Sequence, residues 1–311
     1  MSSLPEIFSP DGPLAKAIGG YRVRQQQVDM AERIAAAINS QSVFIAEAGT
    51  GTGKTFAYLV PALKSGGKVI VSTGTKTLQD QLFNKDLPMV RDALKAPVKI
   101  ALLKGRANYV CPYHLQNALA DGRFLTREDA ADARRISNFA KVTQSGDKAE
   151  CIEVSETSPV WNHATSTREN CLGQECPNHK ECFVMLARRE AMAADLVVVN
   201  HHLFFADVML RDEGMAELLP ACNTVIFDEA HQLPEVATLF FGDSTSTAQV
   251  LDLARDARTE GLTNARDCLD LQTASKQLEK VAKDTRLAVG IDAGRFSYGQ
   301  LTEKPEFLPA V

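Results

Sequence analysis

Five short apolar runs stand out along the chain, at residues 42–46, 68–72, 98–103, 195–199 and 224–227. Each is rich in β-branched residues and bounded by polar or glycine-containing segments. That is the pattern of strands buried on both faces of a parallel sheet. Residues 24–39 place Val28, Ala31, Ile34, Ala35 and Ile38 on one face at helical spacing, and residues 56–60 begin a second helix. Residues 1–20, with their prolines and glycines, read as a tethered leader. The character changes over 105–192, a polar stretch that holds most of the cysteines and shows no convincing strand. It is too long for a connecting loop and is expected to be an inserted subdomain with little core of its own. After Phe241, residues 248–257 and 271–287 read as helices, the second with Leu278, Val281, Ala282 and Leu287 on its apolar face. Residues 290–311 offer turns and no clear element. The expected fold class is α/β, a parallel sheet flanked by helices.

Composition narrows the function classes. At 45% hydrophobic and 23% charged, the 311 residues have the balance of a globular protein. A formal net charge of -5 excludes a protein held to nucleic acid by bulk positive charge, though not a local basic track. No apolar run approaches a membrane span, and the first residues lack the order of a signal peptide, so the expected location is cytoplasmic. Seven cysteines in such a compartment point to metal or reduced thiols rather than disulfides.

The chemistry begins at Glu47-Ala48-Gly49-Thr50-Gly51-Thr52-Gly53-Lys54-Thr55, between an apolar run and a helix. Glycines let backbone N–H groups curl around phosphate oxygens, and the helix N-terminus adds partial positive charge. Residues Ala48 to Thr55 are therefore expected to bind ATP, with Lys54 on the β- and γ-phosphates and Thr55 on Mg²⁺. Ala48 stands where the general motif has its first glycine. The run 224–227 ends in Asp228-Glu229-Ala230-His231, adjacent carboxylates at the edge of the sheet where ligands bind. Asp228 is suited to Mg²⁺ and Glu229 to polarising the water that attacks the γ-phosphate.

Together these residues resemble a superfamily 2 helicase. Ser72-Thr73-Gly74-Thr75-Lys76-Thr77-Leu78-Gln79 is similar to the family's DNA-backbone motif. Lys104-Gly105-Arg106-Ala107-Asn108-Tyr109-Val110-Cys111 and Asn200-His201-His202-Leu203 are similar to blocks of the XPD-like iron–sulfur DNA helicases, in their bacterial YoaA/DinG branch. The resemblance runs from residue 8 to the C-terminus. It implies a RecA-like P-loop lobe at 1–104 and 193–241, an iron–sulfur insert at 105–192, and the start of a helical arch domain at 242–311. It implies adenine recognition by Arg24 and Gln27, and contact between single-stranded DNA and Thr73, Thr75 and Gln79, whose polar groups suit phosphate. The implied activity is ATP-dependent DNA unwinding with 5′-to-3′ polarity, in DNA repair or replication, with ATP and single-stranded DNA as partners and no membrane.

Cys111, Cys171, Cys176 and Cys182 form a second constellation, the last three spaced C-x₄-C-x₅-C. Four thiolates can hold Zn²⁺ or a [4Fe–4S] cluster, and spacing does not choose between them. The resemblance does, because these four match the cluster ligands of the XPD-like helicases. Cys151 is the rival within the insert, and Cys222 and Cys268 read as ordinary thiols. Lys104, Arg106, Arg134, Arg135, Arg188 and Arg189, with Tyr109, Tyr113 and Trp161, are candidates for DNA backbone and base contacts.

The family's second lobe carries a Gln-x-x-Gly-Arg-x-x-Arg element with no counterpart here, since Gly105-Arg106 and Gly294-Arg295 stand in other settings. The chain is therefore expected to be the N-terminal part of a longer helicase with weak activity alone, because an arginine finger is worth about 10³–10⁵ in turnover. The competing expectation is a non-catalytic iron–sulfur module that binds nucleotide and DNA. A P-loop kinase or transporter ATPase with a zinc insert is disfavoured by residues 72–75 and 228–231.

Overall fold

Four of the five apolar runs pair into one parallel sheet in a computed structural model that describes residues 3–49, 51–122, 124, 126–212, 214, 217–242, 246–290, 296, 298–303 and 307. The strands are β1 (Val69–Thr73), β2 (Ile100–Leu102), β3 (Leu196–Asn200) and β4 (Thr224–Phe227), in the order β2-β3-β1-β4. β1 is central, with Val71 opposite Val198 on one side and Ile226 on the other. It is buried along its whole length, which is why its sequence is continuously apolar.

Alternation along the strands sorts the core onto two faces. Val69, Val71, Leu196 and Val198 pack with Ala57, Leu59 and Val60 of the helix Lys54–Lys64 and with Val28 and Ala31 of the helix Gln25–Ser40. Ile70, Val197 and Val199 face the other way, onto Tyr109, Val110, Ile136, Trp161 and Phe183 from the long insert.

Three expectations are corrected here. Residues 1–20 are no loose leader. The short helices Leu4–Ile7 and Pro13–Ala17 seat Ile7, Phe8 and Leu14 in the first core at 2% exposure or less. Nor does the insert lack a core. Its helices Pro112–Asp121, Arg127–Val142 and Phe183–Ala193 enclose aromatic residues that continue the core of the sheet. Finally, the run 42–46 is extended but joins no strand, leaving Val43 92% and Ile45 89% exposed. β-Branched residues favour extended backbone, but only a neighbouring edge makes a strand of it. Here the preceding helix closes through Gln41 at φ 52°, and the Ser42 N–H bonds back to the Ala37 carbonyl. The run is thus held by a helix end, and β4 stays at the margin of the sheet.

The chain divides into two compact units, Met1–Phe241 and Gly242–Val311. The second contains the helices Thr247–Thr263 and Leu269–Val289, which pack through small buried positions, Ala254, Gly261, Ser275 and Ala282. Ser246 and Gln249 form a capping box at the start of the first. Leu287, expected on the apolar face, is 70% exposed. The short helix Tyr298–Thr302 lies where only turns were expected.

Candidate functional site

Gly51 and Gly53 take φ of 78° and 81°, a left-handed backbone that glycine adopts without steric cost. The second ends the loop and starts the helix Lys54–Lys64, so Lys54 and Thr55 occupy its first turn. Thr52 folds the loop on itself by donating its hydroxyl to the Gly49 carbonyl at 2.8 Å. Thr50, expected to bind ATP with its neighbours, lies outside the described residues. Gln27 closes the loop from behind: its Nε2 donates to the Gly53 carbonyl at 2.8 Å, and a Cβ on Gly53 would strike it. Arg24 lies beside the same glycine. Gln27 is 2% exposed and its Oε1 has no hydrogen-bond partner among the described residues, a buried acceptor beside the phosphate loop.

The carboxylates arrive from β4. Asp228 extends the ladder, its N–H bonding the Ser72 carbonyl at 2.9 Å, and Glu229 then turns sharply at φ 57°. Lys54 Nζ lies 3.9 Å from Glu229 Oε1, and His231 Nδ1 lies 3.4 Å from Oε2. Tyr58 donates its hydroxyl to Asp228 Oδ2 at 3.2 Å. Burial raises the pKa of Asp228 above the ordinary aspartate range; the bond from Tyr58 opposes that shift, and Glu229 adds to it. The loop lysine and both carboxylates thus converge from positions far apart in sequence. Tyr58 was not anticipated, although it follows Lys54 by four residues and therefore shares its helix face.

The residues assigned to DNA separate. Thr75 is exposed and caps the helix Lys76–Gln81, its Oγ1 accepting from the Leu78 N–H at 3.3 Å. Thr73 is 1% exposed. Gln79 is fully buried, and its Nε2 donates to the Leu103 and Val198 carbonyls at 2.9 and 3.3 Å. It ties strand ends together and presents nothing to a DNA backbone, which corrects its assignment. Lys104 is corrected likewise. Its side chain is 3% exposed, with Nζ 2.6 Å from both Asp80 Oδ1 and Asp147 Oδ2. Burial works against that charge, but the bonds to Asp147 and Asp80 outweigh it and hold the pKa above the usual lysine value. Tyr109 and Trp161, at 3% exposure each, are core residues rather than stacking platforms. Tyr113 is half-buried, and Arg134 and Arg135 are exposed.

Cys111, Cys171, Cys176 and Cys182 are all half-buried. Burial raises the pKa of Cys111, and Cys182 and Cys176 are close enough to raise it further. Arg188, its own pKa lowered by burial, feels both Cys171 and Cys182. Among the described residues, however, no three of His, Cys, Asp or Glu stand close enough to grip a metal ion. Cys151 is separate: it is 5% exposed inside the insert core, and the acidic groups that act on it are Glu153 and Asp132. Gly294 and Arg295 lie outside the described residues. Among those described, no helix is long and apolar enough to cross a membrane.

Comparison with known proteins agrees with this geometry. The DEAD/DEAH box helicase family matches residues 28–112. The ATP-dependent DNA helicase YoaA of Haemophilus influenzae is 48% identical over 289 residues, covering 93% of this chain and 45% of its own. YoaA of Escherichia coli is 46% identical over 303 residues, covering 97% and 48%. The ATP-dependent helicase DinG of Mycobacterium tuberculosis is 33% identical over 308 residues, covering 91% and 44%. A solved XPD helicase superposes over 93% of this chain and 48% of its own, with a TM-score of 0.44 and 14% identity. The chain spans about half the length of the curated relatives it matches. The match to the DEAD/DEAH box helicase family is thus confined to residues 28–112, while over nearly its whole length the chain is similar to the YoaA and DinG helicases.

Proposed function

We propose that this chain binds Mg·ATP between its glycine loop and its carboxylate turn, and that the site serves ATP-driven unwinding of DNA. The observation that carries the reading is the approach of Lys54 to Glu229 at 3.9 Å, beside an Asp228 already hydrogen-bonded by Tyr58. The loop N–H groups and the first turn of Lys54–Lys64 offer a positive end to phosphate. Lys54 exchanges its carboxylate partner for the γ-phosphate, which frees Glu229 to take a proton from the attacking water. Thr55 and Asp228 are the groups suited to Mg²⁺, which neutralises phosphate charge when bound. Arg24 and the open Oε1 of Gln27 are suited to the adenine edge. Thr75, exposed at a helix start, is the remaining candidate for single-stranded DNA among the three residues first assigned to it. The relatives named DNA helicases support unwinding as the output. Its 5′-to-3′ direction is what the family resemblance implies, and a cytoplasmic site of action is the sequence-based expectation.

Cys111, Cys171, Cys176 and Cys182 are the proposed ligands of a [4Fe–4S] cluster. A tetrahedral zinc site needs thiolates about 3.8 Å apart. All four are half-buried thiols, and the resemblance to the iron–sulfur helicases is what favours the cluster over zinc. Bound there, the cluster would cross-link the turns around it.

The test is anaerobic purification with iron and sulfide analysis, followed by hydrolysis assays with and without single-stranded DNA. About four irons per chain are expected, and stoichiometric zinc without iron would overturn the cluster. Lys54→Ala should lose nucleotide binding. Unchanged binding would remove the loop from the site, and nucleotide binding without any hydrolysis would favour a non-catalytic module.

A further inference from the structure

The Lys104 side chain stands where three stretches of the chain meet. Its Nζ lies 2.6 Å from Asp147 Oδ2 in the insert and 2.6 Å from Asp80 Oδ1 on the helix Lys76–Gln81, which follows β1. Its backbone N–H donates to the Tyr109 hydroxyl at 3.0 Å, and the Leu103 carbonyl before it accepts from Gln79 of that same helix. The insert end of this brace is firmly seated. Asp147 Oδ1 accepts from the Ala149 N–H, and the Asp147 N–H donates to Ser145 Oγ. The neighbouring Gly146 carbonyl accepts from the Val110 N–H at 2.8 Å, and a Cβ on Gly146 would strike the Phe183 ring. The helix end is different. A π-helical turn at Leu82–Asp86 separates Lys76–Gln81 from the helix Leu87–Leu94, and such a turn is where a helix bends. The leading turn therefore takes its direction from Asp80 and Gln79, while Thr75, Lys76 and Thr77 are exposed beyond them.

We propose that Lys104 is a positioning residue through which the insert holds the leading turn of the helix Lys76–Gln81 in place for the phosphodiester backbone of single-stranded DNA. The inference rests on the reading above that Thr75 faces DNA, and deepens it by naming what aims that residue. At 3% exposure Lys104 does not touch DNA itself, and the Asp80 carboxylate repels phosphate. The contribution of both is geometric, because a charge-assisted hydrogen bond at each end of the ammonium fixes direction as well as distance. Held in this way, the turn offers one exposed cation and two exposed hydroxyls to a phosphate.

Binding of a labelled thymidine oligonucleotide to the full chain, read by fluorescence anisotropy beside Mg·ATP affinity and the thermal midpoint, tests this. Asp80→Ala should weaken DNA binding by at least about 5-fold while nucleotide affinity and midpoint stay near the parent's. The sign is diagnostic, since removal of an acidic group acting by charge alone would tighten binding to DNA. Asp80→Glu should restore part of the loss. Lys104→Met should weaken DNA binding at least as much. Should it fail to fold, Asp80→Ala decides alone, because it leaves Lys104 paired with Asp147. DNA binding by Asp80→Ala that equals or exceeds the parent's overturns the inference, and so does an equal loss of nucleotide affinity, which marks general loosening. A parent that binds Mg·ATP but no DNA overturns instead the reading that Thr75 faces DNA.

Discussion

The nucleotide edge and the cysteine insert are each assembled from distant stretches, yet they are held in opposite ways. At the nucleotide edge the functional groups stand on a parallel ladder, and a buried tyrosine already orients Asp228. The backbone ladder and this hydrogen bond set the geometry of the site. In the insert, Cys171, Cys176 and Cys182 sit on and between the short turns Gly173–Glu175 and His179–Glu181, neither of which buries a residue. What anchors the insert is an aromatic core, and Lys104 joining Asp147 of the insert to Asp80 of the helix Lys76–Gln81. A site built on a sheet edge is preorganised by its backbone, whereas a site built on turns depends on its bound group for order.

Substitutions can break this contrast. Glu229→Gln has the largest expected effect, a loss of about 10²–10⁴ in hydrolysis with nucleotide binding and thermal midpoint retained. Turnover equal to the parent would remove Glu229 as the base. Lys104→Met leaves Asp147 buried without its partner and should cost about 3–5 kcal/mol in denaturant unfolding. Its pH dependence has a definite sign. The folded pKa is raised, so the stabilisation is complete below the unfolded value and is lost as pH climbs through the folded one. Stability from this group should hold through neutral pH and decline only under strongly alkaline conditions; a decline on the acid side would assign the effect elsewhere. The smallest effect separates two cysteines. Cys151→Ser, which places a hydroxyl in an apolar core, should cost about 1–3 kcal/mol and leave iron content unchanged. Cys176→Ser should lose the iron with little effect on the core. Iron lost in Cys151→Ser but kept in Cys176→Ser would exchange their roles.

What could be read before folding was the local chemistry. The four strands, the glycine loop, the carboxylates after β4 and the three grouped cysteines Cys171, Cys176 and Cys182 are patterns of neighbouring residues, and backbone preference or ligand type suffices to recognise them. The placement of Tyr58 was half legible, since helical spacing puts it near Lys54 but says nothing of Asp228. Everything that turned on burial was decided by the tertiary structure. Gln79, Lys104, Tyr109 and Trp161 look like surface groups for nucleic acid when read singly, and each is buried with its polar group hydrogen-bonded inside the protein. Residues 42–46 show the converse, with a strand's composition and no strand pairing among the described residues. His201 belongs with the first group, completely buried with its Nδ1 2.7 Å from the Ser72 hydroxyl of a distant strand. Sequence alone determined which chemistries this protein carries. Folding decided which polar groups face a ligand and which hold the protein together, because the free energy of a polar group depends on the partners it finds when water is excluded.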